Sequence, residues 1–569
     1  MATANPQPTL LAHGLLQDLG AVPLVIGVVG HRDPIEEVMP LLEANFKLQL
    51  EQLIRELPHT PLLMLNGLAE GIDMMAARVF AEAVSSDRSQ RGERAPRHQL
   101  IAALPKTPNQ YINDFTDPDS QQELDQLLSR CDAVLHPDNC ADLRVPSSPD
   151  CQTRETGDSA CYGQQSLFLV RNSYLLMAFF DGVETHLEGG TSQSIAMHRG
   201  LIHPFLGSVE EILNKQEPGV QVIHHTPRRR PDSPREGAGK ISFWPDIHGI
   251  GVEIPATLLT IPRWVDAINT AMTEPSLRAA DYGEGLHTRL WTFANQEAIV
   301  NKNRYELLCR ILVFLGFALV LLSQLLENSK ALWWGLLLVA FLLFPHLQER
   351  PKQAFISHRC LSECLSVQYL WSSLGIHDSA ADQFLSRSHE ELGWIRTVVR
   401  SVRLQLLILS TQEDQHRDQV LERARQWIRG QISYLNRAIS ILGSKAVRWQ
   451  RTAAFLAAMA MIVAVLERLP KAPEGLGKWV EVLLAGFGSA LAYRELMGYQ
   501  DTMERYALSV EQFNRGRQAL EDIHPALSPR HLPTHSRAQL VVEAIGREKL
   551  DELNHWVSDQ LQRVYAPGT

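Results

Sequence analysis

Between residues 22 and 210, short apolar runs alternate with amphipathic stretches. Leu24-Val-Ile-Gly-Val-Val-Gly30 is a continuous apolar run ending in glycine, the pattern of a strand buried on both faces. Residues 34–57 follow with apolar positions at helical spacing (Val38, Leu41, Leu42, Phe46, Leu50, Leu53, Ile54). The alternation continues with strands at 62–65, 100–104, 133–136, 175–180 and 202–206, and helices at 72–84, 121–130, 164–171 and 192–199. Strands alternating with helices predict a mostly parallel sheet covered on both faces. Residues 85–97 and 137–163 are polar and read as surface loops. Residues 212–240, with Arg228-Arg-Arg230 and three prolines, read as a poorly ordered extension, and 241–300 as a connection with helices around 261–272 and 286–301.

From Leu307 the pattern changes. Leu307 to Leu326 is twenty residues, about 30 Å of helix and one hydrocarbon thickness. A four-residue turn, Glu327 to Lys330, leads into a second apolar run, Ala331 to Leu347, opened by Trp333 and Trp334. So short a turn makes the pair an antiparallel hairpin. A second pair, Thr452 to Leu466 and Trp479 to Tyr493, is shorter and holds Glu481. These runs are either extended by flanking turns into a second hairpin or buried as core helices. Lys302, Arg304, Arg350, Lys352, Lys445, Arg448 and Arg451 flank the pairs, so the positive-inside rule places the N-terminal and C-terminal regions in the cytoplasm of an inner-membrane, multi-pass protein. Regions 353–450 and 494–565 are amphipathic helix. Trp427…Gln431 is echoed by Trp556…Gln560 at the same i, i+4 spacing.

Composition narrows the function. Fifty-four Lys and Arg against sixty-four Asp and Glu give a net charge of −10, which disfavours nucleic acid as a partner. Seven cysteines with no repeated CxxC pair, and no basic-then-apolar leader in the first sixteen residues, point to a reducing compartment. His136, Cys140, Cys151 and Cys161 match no zinc spacing, so no metal site is assigned.

The candidate chemistry lies where strands end. The first ends in Gly27-Val-Val-Gly30-His31-Arg32, the second in Asn66-Gly67-Leu-Ala-Glu70-Gly71-Ile-Asp73, and the fifth in Asp181-Gly182, followed by Gly189-Gly190-Thr191-Ser192. Glycines at a strand-to-helix turn let backbone amides approach a phosphate, while Arg32 offers charge-assisted bonds. Asp73 serves alternatively as a helix cap, and Ser192 as a plain N-cap. In a parallel sheet the strand C-termini share one edge, so three such turns together imply a phosphorylated, nucleotide-derived ligand.

These residues carry a resemblance. Asn66-Gly-Leu-Ala-Glu-Gly-Ile-Asp73 resembles the SGxAxGID signature of the DNA-processing protein A family. Ala178-Phe-Phe-Asp-Gly182 with Gly189-Gly-Thr191 resembles the pattern of nucleotide-binding members of the SLOG superfamily, which also includes the Lonely Guy phosphoribohydrolases. The resemblance implies a Rossmann-like α/β domain over 22–211, with Arg171 at the position of the family's arginine. The resemblance puts Ser194 where the phosphoribohydrolases carry their catalytic glutamate, so no catalytic residue is assigned, with Glu184 or Glu188 as the alternative carboxylate. The remainder resembles SLATT-type membrane effectors, through His358-Arg-Cys-Leu-Ser-Glu363 and the Trp427…Gln431…Tyr434 helix.

The expected organisation is a tail (1–21), the α/β domain (22–211), a linker (212–300), and an all-α membrane region with two helical hairpins (301–450 and 451–569). The expected function is a membrane-anchored sensor and effector in prokaryotic anti-phage or stress signalling. Its partners would be a nucleotide-derived ligand, lipids and further copies of itself, with no cofactor. The alternative is a membrane-tethered hydrolase of the Lonely Guy type.

Overall fold

The computed structural model describes residues 19–92, 95–145, 154–185, 187–200, 219–245, 251–273, 285–325, 330–383, 392–410, 420–470, 473, 475–522 and 534–565. In chain order the strands are β1 (Leu24–Gly30), β2 (Leu62–Asn66), β3 (Gln99–Ala103), β4 (Ala133–Leu135), β5 (Leu175–Phe180), β6 (Val220–His225) and β7 (Ile241–Trp244). Between and after them run α1 (Met39–Glu56), α2 (Ile72–Arg91), α3 (Pro118–Arg130), α4 (Arg154–Asn172), α5 (Thr191–His198) and α6 (Thr260–Met272). The later helices are α7 (Leu286–Leu325), α8 (Lys330–Ser373), α9 (Gly393–Ser410), α10 (Val420–Glu467), α11 (Leu476–Leu496), α12 (Tyr499–Glu521) and α13 (Thr534–Tyr565). The chain divides into two compact units. One joins Met1–Thr292 with His377–Gln415; the other joins Phe293–Ile376 with His416–Thr569.

The first unit is built on a seven-stranded sheet in the order β4-β3-β2-β1-β5-β6-β7. Strands β1 to β6 are parallel, and β7 runs antiparallel to β6. The chain order reverses at β1, which pairs with β2 on one side and β5 on the other. Phe46, Leu50 and Leu53 of α1, Phe80 of α2 and Leu124 of α3 bury one face. The other face holds Val25, Val29, Leu63 and Ile101 against Phe168 and Leu169 of α4, Ile195 of α5, and Leu404 and Ile408 of α9. Helix α9, which begins 195 residues beyond the end of α5, therefore completes this core.

Several readings change. Residues 85–91, expected in a loop, are the last turns of α2, where Arg91 pairs with Asp87 at 2.7 Å. Residues 154–163, also expected in a loop, open α4. The expected extension 212–240 contains β6, whose buried polar side chains have specific partners. Gln221 Nε2 donates to the Ile195 carbonyl at 2.8 Å, and the His224 ring lies 2.9 Å from Gln49 Oε1. The strand expected at 202–206 lies outside the described residues. Within the expected extension 212–240, Arg228 pairs with Asp33 at 2.7 Å and the exposed Arg229 with Glu36 at 3.0 Å, both acids lying just after β1.

The second unit is helical. Helices α7, α8 and α10 are long and apolar enough to cross a membrane, with windows of mean hydropathy 2.2, 1.6 and 1.6. At most 17 % of any of these windows is buried within the protein, so their apolar surface faces outward. The short run 452–466 is one stretch of the 48-residue α10, so flanking turns do extend it. Helix α11 falls below the same mark, diluted by Lys478, Glu481 and small residues. Glu481 accepts a hydrogen bond from the Gln324 amide of α7. The echoed tryptophans pack edge-on to aromatic rings, Trp427 on Phe513 and Trp556 on Phe355.

Candidate functional site

The C-terminal ends of β1, β2 and β5 meet along one rim. His31 links two of them: the Asp181 backbone N–H donates to its Nε2 at 3.2 Å. Nε2 also lies 3.2 Å from Asp181 Oδ1, but an acceptor nitrogen carries no proton and this is no ion pair. Burial, which lowers the His31 pKa despite Asp181, agrees with a neutral ring. The Asp181 carboxylate is occupied locally, accepting from Val183 N–H and Ser233 Oγ, each at 3.0 Å.

The β2 turn folds against the β1 turn. Gly71, at φ +78°, brings its α-carbon so close to the Arg32 carbonyl that a Cβ would stand 2.6 Å from it. Gly71→Ala is expected to cost about 2–3 kcal/mol, through the left-handed backbone together with this collision. Chemical denaturation of the full chain in detergent measures it, and an unchanged midpoint would mean the turn relaxes freely. Asn66 is spent on the turn itself: its Oδ1 accepts the Leu68 N–H at 2.6 Å, and its Nδ2 donates to the Asp73 carbonyl at 3.0 Å. The Asp73 side chain caps nothing, since Gly71 is the N-cap. It is buried with Oδ1 unpartnered, and burial pushes its pKa up to about 7, against backbone amides and Arg32. Glu70 is half-buried in the turn.

Helix α4 supplies residues that the sequence did not single out. The Tyr162 ring lies 5.4 Å from the exposed Arg32 guanidinium, and its hydroxyl donates to Asp114 at 2.6 Å. Gly189 closes on the same tyrosine, where a Cβ would meet its backbone at 2.5 Å. Gln165 faces Gly67, and Ser166 donates to the Gly189 carbonyl at 2.9 Å. Arg32, Tyr162 and Gly189 thus stack the β1, α4 and β5 segments together.

Helix α5 begins at Thr191, with Gly190 as its N-cap. The Gly189 and Gly190 amides are already engaged, by Gln193 Oε1 at 2.6 Å and the Leu187 carbonyl at 3.1 Å. The first-turn amides that follow, from Thr191 onward, are the ones an incoming anion would meet. Ser192 Oγ accepts from Thr185 N–H at 3.4 Å. Beside this helix lies a cleft of 1360 Å³, lined by Gly182 and Ser192 and, on the far side, by His225 and Lys240 of the β6–β7 hairpin. Gly182 has open space around it at φ +86°.

Other candidate residues sit elsewhere. Gly27 lies within β1, where a Cβ would stand 2.3 Å from Ser173 Oγ, and Gly30 is covered by Ile72 at 2.2 Å. Their smallness serves packing. Arg171 lies in the last turn of α4, which leads into the start of β5, so it stands at the sheet edge opposite the rim. Ser194 is buried, and its hydroxyl is within 3.1 Å of both Ser166 Oγ and the Gly190 carbonyl. The hairpin residues had one signal in the sequence, the apolar alternation at Val220 and Val222. Comparison with known proteins gave no matching family model, no matching curated protein and no matching solved structure.

Proposed function

We propose that this protein is a membrane-anchored sensor and effector. In this reading a SLOG-like, Rossmann-like unit binds a nucleotide-derived signal at its strand C-termini and biases a SLATT-like membrane module of two hairpins. The module would sit in the inner membrane of a prokaryote, with N-terminal and C-terminal regions in the cytoplasm, and act in anti-phage or stress signalling. Copies would assemble, because four helices enclose no wide pore alone.

The observation that supports this best is α9. Its Leu404 and Ile408 belong to the core of the sheet. In the chain it stands between α8 and α10, two of the three helices of membrane-crossing length and hydropathy. A ligand that prefers one arrangement of the sheet and its helices therefore acts on a segment tethered to apolar helices on both sides. It shifts the equilibrium by its differential affinity for the two states. The hydrolase reading is disfavoured by Ser194, whose hydroxyl is buried in internal hydrogen bonds where the family's acid–base carboxylate would stand.

The test uses full-length protein in dye-loaded liposomes, with a nucleotide extract of the host cell as signal. Wild type is expected to release dye, and Gly190→Trp with Thr191→Trp to lose most of that release. Release equal to wild type would remove the coupling. Free base accumulating during the incubation would favour the hydrolase.

A further inference from the structure

Granted the nucleotide-sensor reading, we infer that the cleft takes a dinucleotide joined by a single bridging phosphate, read at its far end by His225 and Lys240 of the β6–β7 hairpin. Three observations carry this. The first is size. At 1360 Å³ the cleft exceeds the roughly 300–1,000 Å³ typical of sites that enclose one small ligand, so a mononucleotide leaves much of it empty.

The second is charge. Among the described residues, the lining includes Glu184, Glu188 and Glu236 against the permanent cations Arg199 and Lys240. Arg199 is already engaged, donating to Gln221 Oε1 at 2.9 Å and lying 5.6 Å from the Trp244 ring. A polyphosphate would bring several negative charges against these carboxylates, and like charges brought together repel. A dinucleoside monophosphate brings one negative charge and many donors. Its ribose hydroxyls and base amino groups are what carboxylates accept. The α5 N-terminus suffices for the single phosphate.

The third is the far wall itself. His225 and Lys240 both line the cleft. The wall is held in place before any ligand arrives. His225 N–H donates to the Lys240 carbonyl at 2.8 Å, Gly239 N–H to the His225 carbonyl at 2.9 Å, and Asn45 Nδ2 to the Gly239 carbonyl at 3.4 Å. A preorganised wall loses little entropy on binding, so its contacts appear as affinity.

The experiment measures calorimetric binding to the full-length protein in detergent. The probes are ApA, CpC, GpG and UpU, the four nucleoside monophosphates and the four triphosphates. At least one dinucleoside monophosphate is expected to bind about tenfold or more tighter than its monophosphate and triphosphate, the worth of one or two added hydrogen bonds. Lys240→Ala and His225→Ala should each remove about that factor for the dinucleotide and leave the matching monophosphate within about twofold. Thermal unfolding of both ligand-free variants, unchanged from wild type, separates lost recognition from lost folding. Mononucleotides or triphosphates binding as tightly as the dinucleotides would overturn the inference and leave the sensor reading standing. No binding by any probe, or by the cell extract, would overturn both.

Discussion

Asp73→Asn is expected to make the α/β unit more stable at pH 7, by about 2 kcal/mol, and much more sensitive to acid. The wild-type unit carries buried groups that oppose each other as the pH falls. Asp73 is pushed up to about 7 by burial, so its ionisation burdens the folded state above pH 7, and that burden is relieved as the pH falls from 7 towards the ordinary carboxylate range. The burden is about 4 kcal/mol at about 1.4 kcal/mol per pKa unit, less 1–3 kcal/mol for the amide that the variant leaves unpaired.

His198 and His224 run the other way. Burial lowers them to about 4 and about 3, so the stability they contribute is full above 6.5 and is lost as the pH falls towards those values. Their hydrogen bonds show why protonation is resisted. His224 Nε2 faces Gln49 Oε1 and must donate, leaving Nδ1 bare and unpartnered. His198 Nε2 donates to the Ser173 carbonyl at 3.2 Å, and its Nδ1 faces the Gln221 amide nitrogen, a donor, at 3.4 Å. A second ring proton has no acceptor in either place. By pH 4 the two imidazoles together remove about 6 kcal/mol, and Asp73 restores about 3 of it in wild type. Wild type should lose about 3 kcal/mol between pH 7 and 4, and Asp73→Asn about 6. Hydrogen exchange of peptides covering β5 and β6 reads this locally. Identical pH profiles for the two proteins would mean that Asp73 is not protonated over this range.

The same buried polar groups explain what the sequence concealed. Strands β1, β2, β3 and β5 are apolar nearly throughout, because both faces of a parallel sheet are covered, and they were legible for that reason. Strand β6 shares that burial but reads as half polar. Gln221 bonds the Ile195 carbonyl and one His224 nitrogen bonds Gln49, partners distant in sequence. The polar end of α2 misled for the opposite reason, since an exposed helix face has the composition of a loop. At the site, the spacing of the glycine turns pointed to the rim. What it could not reveal is that Gly30 and Gly71 are small to admit Ile72 and the Arg32 carbonyl, or that the far wall of the cleft comes from the hairpin. Amphipathic spacing in 393–410 announced a helix, but not which surface it covers. Gln405 bonds to Gln99 across 306 residues of chain.

That helix is where the largest single-residue effect is expected. Ile408→Asp places a carboxylate in a core of Val25, Leu63 and Ile101, and should cost on the order of 4 kcal/mol or more. Ile408→Val, which keeps the position apolar, should cost only about 1 kcal/mol. Exchange protection should fall first in β1, β2 and β3, whose side chains lose their cover, while α7, α8 and α10 stay helical by circular dichroism. Because unfolding of the whole unit would also abolish the proposed signalling, Arg403→Ala provides a milder break. Arg403 donates to Asp142 and to the His377 carbonyl, both within the same unit, and losing this mostly buried pair should cost about 3 kcal/mol. If α9 is the link from the cleft to the long apolar helices, as proposed, Arg403→Ala keeps the proposed nucleotide binding and loses ligand-driven dye release. Should release persist at the wild-type level with α9 loosened, the signal reaches the membrane by another route, and the packing of α9 on the sheet serves stability alone.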